Sequence, residues 1–168
     1  MLPLSRNTTY TPASPVKSAD LNDVQDMIIG AKHGSITMGI DPCGGQAHGA
    51  NADLNTSKVT WSGVDTWETP LLLPAGTRLT EIKAFISRDS GTAIILGLTE
   101  RVLAGFGSID DIVFESYAGG AGNQTVVVDT PASFSMPFTL QAGGVYALRM
   151  LADALDDLYG WEVTYETP

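Results

Sequence analysis

The chain has 168 residues, enough for one ordinary domain with an appendage and short of two full domains. It contains 18 glycines and only 17% charged residues, a balance that favours a turn-rich β protein over a helical bundle or a disordered chain. Nineteen acidic against nine basic side chains give a formal charge of -10, so the average surface repels a phosphate backbone and nucleic acid is excluded as an expected direct partner.

Met1-Leu2-Pro3-Leu4-Ser5-Arg6 has no basic region followed by an apolar run, so no secretory signal is expected. No apolar run approaches the roughly 20 residues that cross a bilayer, and no membrane insertion is expected. Asn-x-Ser/Thr triplets begin at Asn7, Asn55 and Asn123 and read as chance in a Thr-rich chain. Residues 1–17 carry Pro3, Pro12 and Pro15 without periodicity, which predicts an extended arm that needs a neighbour to become ordered.

A single helix is predicted next. Ser18 is a good N-cap, Asp20 complements the positive end of the helix dipole, and Lys32 and His33 complement the negative end. Gly34 then supplies a left-handed stop. Leu21, Val24, Ile28 and Ala31 are spaced 3, 4 and 3, the seam of a coiled coil, and two heptads are too short to stand alone. The seam has two candidate partners: the β domain of the same chain, or the same helix of sister subunits around a symmetry axis. In a trimer Met27 and Ile29 would also be covered.

The run from Ile40 to Ala52 is small, polar and aperiodic and reads as a long loop or linker, placing domain boundaries at 1–40, 41–56 and 57–168. Strand signals recur from Lys58 onward, at 58–61, 66–69, 78–86, 92–98, 112–116, 125–128, 133–138, 145–150 and 160–165. In one of them Leu79, Glu81, Lys83 and Phe85 alternate with Thr80, Ile82, Ala84 and Ile86. Leu73-Pro74-Ala75-Gly76 and Leu140-Gln141-Ala142-Gly143 echo one another, each placing a glycine before a strand where a tight turn needs a positive φ. The expected fold is mainly β: a jelly-roll-like antiparallel β-sandwich preceded by the arm and one short N-terminal α-helix.

Few residues suggest chemistry. The lone Cys43 cannot form an intrachain disulfide, and with Asp41 and His48 it makes a weak metal set without paired ligand spacing. No G-x-S-x-G elbow occurs, and Gly119-Gly120-Ala121-Gly122-Asn123 lacks the Lys-Ser/Thr of a phosphate cradle. Asp153, Asp156 and Asp157, and separately Asp110 and Asp111, offer oxygens of the kind calcium prefers, but in no EF-hand spacing, so solvated turns are expected. No catalytic residue, metal or cofactor is assigned. Trp61, Trp67 and Tyr117 are candidate glycan-stacking residues, with burial in the core, alongside Trp161, Tyr146, Tyr159 and Tyr165, as the other reading.

The stretch "YTPASPVKSADLNDVQDMIIGAKHG" resembles the attachment segment of tailed-bacteriophage structural proteins, and "PLLLPAGTRLTEIKAFI" with "FTLQAGGVYALRML" is similar to jelly-roll modules of phage fibres and capsid decoration proteins. The resemblance implies a non-enzymatic, homotrimeric virion component made in the host cytoplasm, of decoration, head-fibre, tail-fibre or baseplate type. Thr8, Tyr10 and Val16 of the arm would then dock on capsid or tail proteins, and Leu21, Val24, Ile28 and Ala31 would join sister helices. The alternative function is a carbohydrate-binding β-sandwich module for host-surface glycans.

Overall fold

A β-strand sends successive side chains to opposite faces, so the apolar alternation after Lys58 calls for two sheets that bury one face each. The computed structural model describes residues 36–89, 91–102 and 109–167, within one compact unit from Ser35 to Thr167. The expected arm and helix, with Thr8, Tyr10, Val16, Leu21, Val24, Ile28 and Ala31, lie outside the described residues. Among the described residues there is no α-helix, only a 3-10 turn at Pro42–Gly44.

The described residues form thirteen strands: β1 Ile36–Ile40, β2 Gln46–Ala47, β3 Ala52–Asn55, β4 Lys58–Trp61, β5 Asp65–Leu71, β6 Arg78–Arg88, β7 Ile94–Val102, β8 Ile109–Tyr117, β9 Gly122–Val127, β10 Thr130–Pro131, β11 Phe138–Thr139, β12 Gly144–Ala152 and β13 Asp157–Glu166. The first sheet runs β11-β6-β13-β4-β3, with β9 also beside β6 and β1 also beside β13. The second runs β10-β8-β7-β12-β5-β2. Every pairing is antiparallel.

The core lies between the sheets. Val59, Ile82, Ala84, Ile86, Val126, Leu158, Trp161 and Val163 face inward from the first, and Trp67, Leu71, Ile94, Leu96, Leu98, Leu148 and Met150 from the second. A fully buried side chain of this size contributes about 1.5–3 kcal/mol.

Three bulges change which residues face inward. Thr80 is the extra residue of β6 opposite Thr164 and Tyr165, Tyr159 is the extra residue of β13 opposite Phe85 and Ile86, and Ile112 is the extra residue of β8 opposite Leu98 and Thr99. An extra residue flips the parity of everything beyond it. Hence Leu79 and Ile82 are both buried, as are Ile112 and Val113. The expected grouping of Leu79 with Phe85 on one face fails for this reason: Leu79 is inside and Phe85 outside.

Two further expectations are corrected. Residues 36–56, read as the end of the arm and a linker, are part of the sandwich: β1 pairs with β13, β2 with β5, and β3 with β4. The loop after β2 is held by Asp65, whose Oδ1 accepts from Gly49 N (2.9 Å) and Thr66 N (2.7 Å) and whose Oδ2 accepts from Asn51 N (3.0 Å) and Ala52 N (3.2 Å). Of the strand expected at 133–138, only Phe138 is in a strand. Pro137, without an N–H, precedes it.

The echoed corners do turn as expected, with Gly76 at φ 85° and Gly143 at φ 83°. They also meet: Gly76 N donates to Leu140 O at 2.8 Å, and Leu140 N to Thr77 O at 2.9 Å.

Candidate functional site

The outer face of the first sheet carries an aromatic pair. Ile82, Ala84 and Ile86 point into the core, so Phe85 between them points out, and the bulge at Tyr159 throws that ring out of β13 beside it. Phe85 is 37% and Tyr159 43% exposed. With Ile86, Asn123, Gln124 and Thr125 they line one cleft of ≈ 290 Å³. Thr125 pairs directly across from Phe85, so β13, β6 and β9 present ring, ring and hydroxyl in order across the strands.

Polar groups frame the rings. Lys58 Nζ lies 5.7 Å from the Tyr159 ring centroid and 2.7 Å from Asp157 Oδ2. The hydrogen bond to Asp157 holds the Lys58 ammonium above its ordinary value despite partial desolvation. On the inward side of β9, where Gln124 pairs with buried Ile86, Tyr117 donates its hydroxyl hydrogen to Gln124 Oε1 at 3.2 Å. The Tyr117 ring lies 5.7 Å from the Arg88 guanidinium. Arg88 is buried and donates to the carbonyls of Tyr117 (3.3 Å), Gly119 (2.7 Å) and Thr92, with its Nε 3.6 Å from buried Asp156. One guanidinium therefore ties the β6–β7, β8–β9 and β12–β13 connections together beside the cleft. Phe134, the other exposed aromatic ring described, leans on Phe138 at 5.3 Å and has no comparable polar frame.

The residues expected to stack on glycans fall elsewhere. Trp61 and Trp67 are each 4% exposed, their Nε1 atoms donating to Asp65 O (3.0 Å) and Pro42 O (3.1 Å), so neither ring offers a face to a sugar. Both are core residues because their strands alternate Trp with outward polar neighbours. Tyr117 is half-buried and supports Gln124 rather than forming a platform. Phe85 follows the alternation of β6, whereas Tyr159 is turned outward by the bulge between Leu158 and Gly160, a register event that the sequence of β13 alone does not signal.

The acidic turns are occupied by protein partners. Asp157 pairs with Lys58, Asp156 with Arg88, and Asp111 with Arg149 at 2.8 Å. Asp153 accepts from Ala154 N and Thr92 Oγ1. His48 Nε2 sits 3.0 Å from Glu68. No group of three metal-type side chains converges among the described residues.

The fold is a two-sheet antiparallel β-sandwich, similar to the jelly-roll sandwiches of carbohydrate-binding modules. No family model and no curated protein matches the chain. Among solved structures it is similar to the CBM22-1-GH10 modules of endo-1,4-β-D-xylanase 10B from Clostridium thermocellum, complexed with xylohexaose, at TM-score 0.50 and 11% identity, covering 82% of this chain and 28% of that one. It is also similar to the C-terminal CBM6 of LamC, a marine laminarinase from Zobellia galactanivorans (TM-score 0.46, 12% identity, 77% and 99% covered), and to the xylan-binding module CBM15 (0.47, 11%, 78% and 97%).

Proposed function

We propose that the sandwich is a non-catalytic carbohydrate-binding module whose ligand lies across Phe85 and Tyr159. The observation that carries this is the exposed aromatic pair sharing one cleft with Asn123 and Thr125, whose side chains leave the same face of the sheet as Phe85. A pyranose has an apolar C–H face that packs on an aromatic ring and a rim of hydroxyls that amides and hydroxyls satisfy. The cations on this face are engaged, Lys58 with Asp157 and Lys83 with Glu81 and Glu162, which favours a neutral sugar.

Xylohexaose, present in the xylanase structure, is a sensible first ligand, followed by a panel of neutral oligosaccharides. Phe85→Ala and Tyr159→Ala each weaken binding about tenfold, the equivalent of roughly 1.4 kcal/mol per ring, with thermal unfolding unchanged because both side chains are half outside the core. Titration calorimetry checks this. Equal affinity in both variants and the parent chain would remove the aromatic face from the function.

The resemblance of residues 10–34 to phage attachment segments supports a further role for the module as the host-facing part of a virion protein. In that reading the arm docks on capsid or tail proteins and Leu21, Val24, Ile28 and Ala31 join three copies. Light scattering of the full chain then gives a trimer that Ile28→Asp reduces to monomer while the sandwich stays folded. A parent chain that is monomeric at every concentration counts against the helical trimer.

A further inference from the structure

The outer face of the second sheet holds a different site. Its outward residues form rows across the strands, and one part of this face, beside the Gly44–Gln46 segment, is a cleft of ≈ 270 Å³. Thr99 and Ala147, directly paired, lie at its floor with Pro70 beside Ala147, and Val145 and Arg101, also directly paired, follow along the strands. Gln46 and Glu68, again a direct pair, stand at the other end.

Arg101 is the unusual residue. Lys58, Arg78, Lys83, Arg88 and Arg149 each face a carboxylate. Arg101, exposed on β7, has no ion-pair or hydrogen-bond partner among the described residues. That is notable in a chain with 19 acidic side chains and a formal charge of -10, where a cation finds a carboxylate easily. The one carboxylate in its cleft, Glu68, is already held by His48 Nε2 at 3.0 Å. A guanidinium left open at the edge of a cleft offers a planar fork that matches a carboxylate bidentately.

We propose that this cleft binds a carboxylate-bearing sugar residue, a hexuronate unit, with its carboxylate on Arg101. The cleft suits one or two sugar rings in size, and its lining is mixed: the apolar surface of Val145, Ala147 and Pro70 for a C–H face, and Gln46 for hydroxyls. Glu68 disfavours a doubly charged phosphate, whereas a single carboxylate meets one cation. The site is on the opposite face from Phe85 and Tyr159 and does not depend on them.

The test is a chemical-shift titration of the isotope-labelled full chain with glucuronate and galacturonate, and with glucose, acetate and inorganic phosphate as comparisons. The expected result is a saturable response of Thr99, Arg101 and Ala147 to a uronate, at least about tenfold weaker with glucose, acetate or phosphate. Arg101→Gln, a surface change, abolishes that response by at least about tenfold while leaving the Phe85 face and the stability intact. Phe85→Ala leaves the uronate response unchanged. The proposal is overturned if phosphate or acetate binds as well as the uronates, if glucose does, if Arg101→Gln binds normally, or if no uronate perturbs this face. A uronate response lost in Phe85→Ala and kept in Arg101→Gln would move acidic sugars to the aromatic cleft, separating this site's failure from that of the neutral-glycan reading.

Discussion

Arg88→Met unfolds the sandwich more easily by about 3–5 kcal/mol, the usual cost of removing one partner from a buried ion pair. Arg88 is 2% and Asp156 0% exposed, so the change strands a buried carboxylate without its cation. It also strips donors from three carbonyls, those of Thr92, Tyr117 and Gly119. Pairing Arg88→Met with Asp156→Leu recovers the part due to the stranded carboxylate, while the cost at the three carbonyls remains. Denaturant melts of the two variants check this, and a single variant as stable as the parent chain would contradict the bridging role.

Asp65→Ala costs about 3 kcal/mol or more. Its carboxylate serves four backbone N–H groups, and each buried donor left unsatisfied costs about 1–3 kcal/mol, partly relieved where water can enter. The pH dependence carries a sign that can be read out. Burial pushes the Asp65 carboxyl up, but the four donors outweigh it and hold it below the ordinary 3.8. A depressed carboxyl stabilises the fold fully above 3.8 and loses that contribution as pH falls through its folded value. The stability gap between Asp65→Ala and the parent chain is therefore constant near neutrality and narrows below pH 3.8. A gap independent of pH would mean that the loop is held by something other than the carboxylate.

Much of the sandwich was legible because its long strands alternate strictly. β6 from Ile82 to Ile86, β12 from Tyr146 to Ala152 and β4 from Lys58 to Trp61 each bury every second residue, and all three lie where the periodicity places them. Residues 36–56 were illegible for the opposite reason. β2 and β3 are two and four residues long, rich in small and polar side chains, and are held by Asp65 and by pairing with β5 and β4 rather than by their own apolar pattern. No local signal in "GGQAHGANADLN" says that a carboxylate downstream will collect its amides.

The aromatic site was hidden by parity. Trp61 and Phe85 both sit in alternating strands, and only the sheet pairing tells that one ring is inside and the other outside. A bulge is a register event between two strands, so a single strand's sequence carries it weakly. The doublet Ile112-Val113, both fully buried, is the clearest residue-level trace of one.

Ile36 pairs with Tyr165, so the chain enters and leaves the described sandwich side by side. Tyr159 lies six residues back along β13, about 20 Å away at the usual rise of a strand. Both flanking segments thus join the sandwich near one end of β13, and Tyr159 lies toward its other end. A force that draws the two flanks apart would peel β1 from β13 bond by bond, whereas a load applied near Tyr159 against the N-terminal flank would strain those same bonds together, the geometry in which a sheet resists most.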